Sequence, residues 1–139
     1  YHQFIAALFA QNHCSIFMMT FKQRIGKQGE DIAAAFLRKK GLVIVERNFR
    51  CHGGEIDIIA REERVLIFVE VKTTAAGSFG DPQLWVDERK QRRIGHAADV
   101  YCYQNGIEDT DCRFDVVVVN LMRYPPDIRH FIDAFWVEE

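Results

Sequence analysis

The chain has 139 residues, 48% hydrophobic and 27% charged, with three prolines. That suits one globular domain burying roughly two-thirds of the surface its unfolded form exposes, and excludes disorder or a fibrous repeat. A formal charge of −2 and a pI near 6.2 exclude coating nucleic acid through overall positive charge, leaving such contact to local patches.

Residues 1–19, "YHQFIAALFAQNHCSIFMM", carry no Lys, Arg, Asp or Glu. Their apolar run is too short and interrupted to span a bilayer, and they lack the basic start of a secretory signal. They stay unassigned, with Met18-Met19 as the expected beginning of the patterned part, so 20–139 is expected to form a single domain. From Phe21 to Lys40, Ile25, Ile32, Ala33, Phe36 and Leu37 share one helical face, with Thr20 as N-cap and Gly41 as stop.

Three β-rich runs follow, Leu42 to Arg50, Gly54 to Glu62 and Val65 to Thr73, separated by Gly53-Gly54 and Glu62-Glu63. After a loop with Gly77, Gly80 and Asp81-Pro82, Asp87 caps a second helix over Glu88 to Gln104, ended by Asn105-Gly106. Arg113 to Leu121 reads as a strand buried on both faces, and His130 to Val137 as a last strand after Pro125-Pro126. The order αβββαββ, with a helix between two strands, predicts an α/β fold: a mixed sheet flanked by helices.

Four cysteines (Cys14, Cys51, Cys102, Cys112) form no C-x-x-C pair, and the five histidines add no zinc spacing. Reduced thiols in a cytoplasmic protein are expected. The basic runs Arg38-Lys39-Lys40, Arg47 with Arg50, and Arg89-Lys90-Gln91-Arg92-Arg93 each have an ordinary reading as solvated faces.

The unusual stretch is "GEIDIIAREERVLIFVEVK", Gly54 to Lys72, which plants Glu55, Asp57, Glu70 and Lys72 among apolar residues. A two-residue turn at Glu62-Glu63 would pair Ala60 with Val65, Asp57 with Phe68 and Glu55 with Glu70. All four charges then share one face with Ile59, Leu66 and Phe68, Asp57 lying diagonal to Glu70, while Ile56, Ile58, Val69 and Val71 make the other face wholly apolar. Neighbouring carboxylates repel and cost on the order of several kcal/mol to desolvate unless cations compensate. Lys72 supplies one positive charge and a divalent ion would supply the rest. The alternative is an edge hairpin with its charged face in water.

Taken together, "GKQGEDIAAAFLRKKG", "RNFRCHGGEIDIIA", "VLIFVEVKT", "FGDP", "VDERKQRRI" and "RFDVVVV" resemble the YraN-like family of bacterial proteins over about Phe21 to Phe135. The fold of that family is similar to the restriction-endonuclease-like or PD-(D/E)xK nucleases, archaeal Holliday junction resolvases included. The resemblance implies metal-binding and catalytic roles for Asp57, Glu70 and Glu30, with Lys72 completing the E-x-K motif. Glu30 falls at the border of the first helix's apolar stripe and Lys90 among Val86, Ile94, Ala97 and Tyr101, so both can reach a cleft. Glu55 takes a supporting place, holding Lys72 or a backbone group. The chain departs from the wider nuclease pattern at Ile56, in place of a proline, and at Thr73-Thr74, where a basic residue is common.

The expectation is a Mg²⁺-dependent endonuclease (Mn²⁺ as alternative) hydrolysing DNA phosphodiester bonds, with branched or non-duplex DNA among the candidate substrates. Lys90, Arg89, Arg92 and Arg93 would grip flanking phosphates. Two alternatives stand beside it: a non-cleaving nucleic-acid-binding module, dimeric in one version, and a protein-interaction domain with a structural acidic cluster. None involves a membrane.

Overall fold

A computed structural model describes residues 19–74 and 86–138. Helix α1 (Phe21–Lys39) starts at a reciprocal cap: the Thr20 hydroxyl accepts the Gln23 N–H at 3.2 Å, and the Gln23 side chain accepts the Thr20 N–H at 2.9 Å. It ends at Lys40, followed by Gly41 at φ 97°, a conformation that favours glycine. Strands β1 (Val43–Cys51), β2 (Gly54–Glu62) and β3 (Val65–Thr74) follow, then α2 (Glu88–Gln104), β4 (Cys112–Asn120) and β5 (Asp127–Phe131). Asp87 caps α2, its carboxylate accepting the Lys90 N–H at 2.8 Å.

The five strands form one sheet in the order β1-β2-β3-β4-β5. Every neighbouring pair is antiparallel except β3 and β4, which run parallel across the connection that carries α2. The two helices cover opposite faces. Ala33, Ala34 and Leu37 of α1 pack with Ile58, Ile67, Val69 and Val117, whereas Ile94, Ala97 and Tyr101 of α2 pack with Ile59, Phe68 and Val116. The central strands are therefore buried on both sides, as their apolar density predicts.

Three expectations need correction. The hairpin turns at Glu63-Arg64, with Glu63 at φ 52°, so the register is Glu62 with Val65, Ala60 with Ile67 and Ile58 with Val69. The shift is two positions, which changes partners but does not by itself move a residue to the other face. Alternation breaks at Asp57: Ile58 joins the core beneath α1, but Ile56 joins the one beneath α2. The neighbouring strand carries Asn48 at φ 55° between the pairs Arg47–Ile58 and Phe49–Ile56. Asn tolerates this left-handed conformation better than most residues.

The last strand is Asp127–Phe131 rather than His130 to Val137. Asp133, at φ 55°, donates its N–H to Asp115 Oδ1, and Ala134 donates to the Phe114 carbonyl, which turns the chain off the sheet. Phe135 folds back onto the α2-side core and Val137 packs close to Gly95. The loop containing Gly77, Gly80 and Asp81-Pro82, with "FGDP", lies outside the described residues, as do Cys14 and residues 1–18.

Asp115 is fully buried in β4, yet fully satisfied. It accepts from Arg113 Nε (2.8 Å), His130 Nε2 (2.7 Å) and the Asp133 N–H (2.9 Å), while Lys40 Nζ stands 2.7 Å from His130 Nδ1. An ammonium at Nδ1 makes that nitrogen an acceptor and places the imidazole proton on Nε2. Burial pushes the Asp115 carboxyl up, but hydrogen bonds from His130, Arg113 and Asp133 outweigh it and hold it below the ordinary range. The cluster ties β4, β5 and the end of α1 together.

Candidate functional site

The site forms where two strands part. β2 and β3 pair as far as Ile58–Val69, after which β2 continues beside β1 to Gly54 and β3 beside β4 to Thr74. Asp57 and Glu70 are the first residues beyond that last pair, so they face each other directly rather than diagonally. Asp57 Oδ2 fills the gap by accepting the Val71 N–H at 2.8 Å. The two carboxyls are close enough that each shifts the acidity of the other.

Two neighbouring carboxyls, one buried and the other half-buried, cannot both be charged cheaply. Burial pushes Asp57 above the ordinary carboxylate range, against the opposing effect of the Val71 N–H. Burial, then the Asp57 charge, raises Glu70 to about 7 against the pull of Lys90 and Lys72. Glu70 is only 4% exposed, and its Oε2 is buried with no hydrogen-bond partner among the described residues. A buried carboxylate oxygen left so costs free energy unless a proton or cation meets it.

The other oxygen, Glu70 Oε1, faces two ammonium groups: Lys90 Nζ at 3.5 Å and Lys72 Nζ at 3.6 Å. Lys90 thus belongs to the carboxyl cluster itself, reaching in from the first turn of α2. Glu55 pairs with Lys90 at 3.7 Å and with Arg50 at 3.9 Å, so the cation it holds is Lys90 rather than Lys72. Gly54 makes this approach possible, because a Cβ there would lie 2.3 Å from the Arg93 carbonyl oxygen.

Glu30 comes from the opposite face of the sheet. Its side chain is 13% exposed, and together with Asp57 and Lys72 it lines a cavity of about 300 Å³. Gly29 sets its depth: a Cβ on Gly29 would lie 1.9 Å from Thr73 Oγ1, so only glycine lets α1 sit this low on β3. Burial and then the Asp57 charge raise the Glu30 carboxyl, while Arg47 opposes them. Arg47 Nη2 stands 3.3 Å from Glu30 and 2.6 Å from Asp31, and holds the Asp31 carboxyl below its ordinary range.

Arg47 is the residue that sequence reasoning passed over as part of a basic patch. Its charge type was the only available signal, since the Glu30 contact depends on how α1 lies across β1. Arg89, Arg92 and Arg93 are exposed along α2, and Arg92 pairs with Glu88 at 3.9 Å. Among the described residues no three His, Cys, Asp or Glu side chains form a ready metal cluster. A cation here would have Asp57 and Glu70 as protein ligands and keep waters in its remaining positions, a mode that suits Mg²⁺.

Fold and site together define an α/β protein with one mixed sheet, split at its centre by a carboxyl pair, Glu70 buried and Asp57 half-buried, beside two lysines. The chain belongs to the uncharacterised protein family UPF0102, the YraN family, whose profile matches residues 29–119 and so spans Glu30, Asp57, Glu70, Lys72 and Lys90. It is 45% identical over 112 residues to a UPF0102 protein of Geobacter sulfurreducens, covering 80% of this chain and 88% of that one. It is 48% identical over 115 residues to one of Pelobacter propionicus, covering 79% and 81%. No helix among the described residues is long and apolar enough to cross a membrane.

Proposed function

We propose that this chain is a divalent-cation-dependent nuclease, hydrolysing phosphodiester bonds in DNA with Mg²⁺ or Mn²⁺ held by Asp57 and Glu70. The observation that carries the proposal is the orphaned, buried Glu70 Oε2 beside Asp57, since a hard cation satisfies both carboxylates at once. Bound there, the cation would acidify a water and offset charge gathering on the phosphoryl oxygens.

The protein's own groups divide the remaining work. The Val71 N–H fixes the rotamer of Asp57, keeping one carboxylate oxygen committed and the other free. Lys72, a third exposed, donates toward a non-bridging phosphate oxygen and steadies the attacking water. Lys90, held by Glu55, favours the ionised form of Glu70 by opposing the effect of burial. Glu30 accepts from water at the rim of the cavity, with Arg47 limiting how far its carboxyl rises.

The test is incubation of purified protein with linear, supercoiled, single-stranded and four-way-junction DNA in Mg²⁺ or Mn²⁺, beside Asp57→Asn and Lys72→Ala. Cleavage by the wild type, lost by at least about 100-fold in both variants, is the expected result. Equal cleavage by all three identifies a contaminant. That no cluster of three metal-ligating side chains stands among the described residues favours one other reading, a nucleic-acid-binding module that does not cleave. Binding without turnover on every substrate would select it.

A further inference from the structure

We propose that a groove crossing α1 at Gly26 carries the sugar–phosphate backbone of the bound strand away from the carboxyl pair, an inference that rests on the nucleic-acid reading above. Two cavities, of about 300 and 510 Å³, lie on either side of this point and share Gly26 and Glu30 in their walls. The first contains Asp57, Lys72 and Lys22, and the second Lys27, Arg47 and Arg50. Five cations thus line the pair against two carboxylates, Glu30 and Asp57, although the whole chain is net negative. An elongated polyanion is the ligand that this charge pattern suits.

Two of the cations, Lys27 and Arg50, are free to exchange partners. Lys27 pairs with Asp31 at 3.7 Å and Arg50 with Glu55 at 3.9 Å, and their side chains are 63% and 77% exposed. Such solvated pairs contribute little and give way readily to a phosphate.

Gly26 supplies the independent observation. Glycine inside a helix is destabilising relative to alanine, so its presence needs a reason. Gly29 and Gly95 have one in packing, since a Cβ would collide with Thr73 and Val137. At Gly26, among the described residues, nothing stands within 4 Å of where a Cβ would lie. A bare stretch of helix on the wall common to both cavities lets a ligand backbone pass close, where a side chain would stand in its way.

The experiment measures binding rather than cleavage, by fluorescence anisotropy in EDTA. The probes are a labelled single-stranded DNA oligonucleotide and its duplex, over a salt series. Gly26→Leu is expected to weaken binding about tenfold or more without lowering Tm. The double variant Lys27→Ala/Arg50→Ala should reduce the slope of log K against log salt by about 1.4 to 1.8 for two lost phosphate contacts. Arg64→Ala, at the β2–β3 turn at the far end of the sheet, should leave the slope unchanged.

Wild-type affinity and slope in both groove variants would overturn the groove while leaving the nuclease reading standing wherever cleavage persists. Groove-dependent binding with no cleavage under any cation would uphold the groove and remove only the catalytic reading. A wild type that binds neither oligonucleotide would overturn the groove, and the cleavage assay in Mg²⁺ or Mn²⁺ then decides the nuclease reading separately.

Discussion

Asp57 Oδ2 accepts the Val71 N–H at 2.8 Å, one residue past Glu70, so the strand that presents one carboxyl also anchors the other. The site's geometry is therefore set by the backbone of β3, and its acidity by how deeply that backbone is buried.

The first consequence is a stability that depends on pH. Glu70 has an ordinary value of 4.5 and rises to about 7 on folding, so between these values the folded chain keeps a proton that the unfolded chain has released. Stability is then fully present below pH 4.5 and falls as pH rises through about 7. Glu70→Gln removes the penalty: in metal-free urea unfolding at pH 8 it should exceed the wild type by on the order of 2 kcal/mol, converging toward pH 5. A variant less stable than the wild type at pH 8 would show that the carboxylate is well compensated by its lysines.

Lys90 stands 3.5 Å from Glu70 and is expected to tune rather than perform the reaction. Its removal in Lys90→Met should raise Glu70 further and move the acidic limb of the cleavage rate about one unit toward higher pH, with the plateau largely kept. Lys72→Ala should depress the plateau itself. The pH–rate profiles of the two variants separate these roles, and an unmoved limb in Lys90→Met would remove Lys90 from the site.

Gly29→Ala tests how Glu30 is placed. The added methyl group would meet Thr73 Oγ1 at 1.9 Å, so α1 must lift or β3 must yield. A loss of about 1 to 3 kcal/mol in urea unfolding is expected, partly restored when Thr73→Ala is combined with it. No loss would mean that α1 rides higher on the sheet than the Glu30 contact requires.

Most of the architecture was legible because each element carries its own signal. Thr20 and Asp87 cap their helices where the sequence places them, and the apolar density of β3 and β4 predicts burial on both faces. The carboxyl pair was legible as a same-face cluster, since a two-residue register error preserves side-chain direction. Features that depend on two distant segments were not. Arg47 reaches Glu30 only because α1 lies across β1, and Asp115 in an apolar run gives no hint that His130 from β5 will meet it. The final strand differs from the expected His130 to Val137 because "IDAFWV" is apolar enough for a strand, yet beyond Phe131 the chain leaves the sheet and Phe135 closes onto the core from irregular chain.

Calorimetric titration of Mn²⁺ into the wild type and into Asp57→Asn/Glu70→Gln at pH 6.5, where the folded chain still holds most of the Glu70 proton, tests the central claim most directly. Saturable binding should occur in the wild type with proton release, read from the dependence of heat on buffer, because the raised carboxyls must ionise fully to take the ion. Both signals should vanish in the double variant. Absence of wild-type binding, or equal binding by the variant, would contradict a cation held between Asp57 and Glu70.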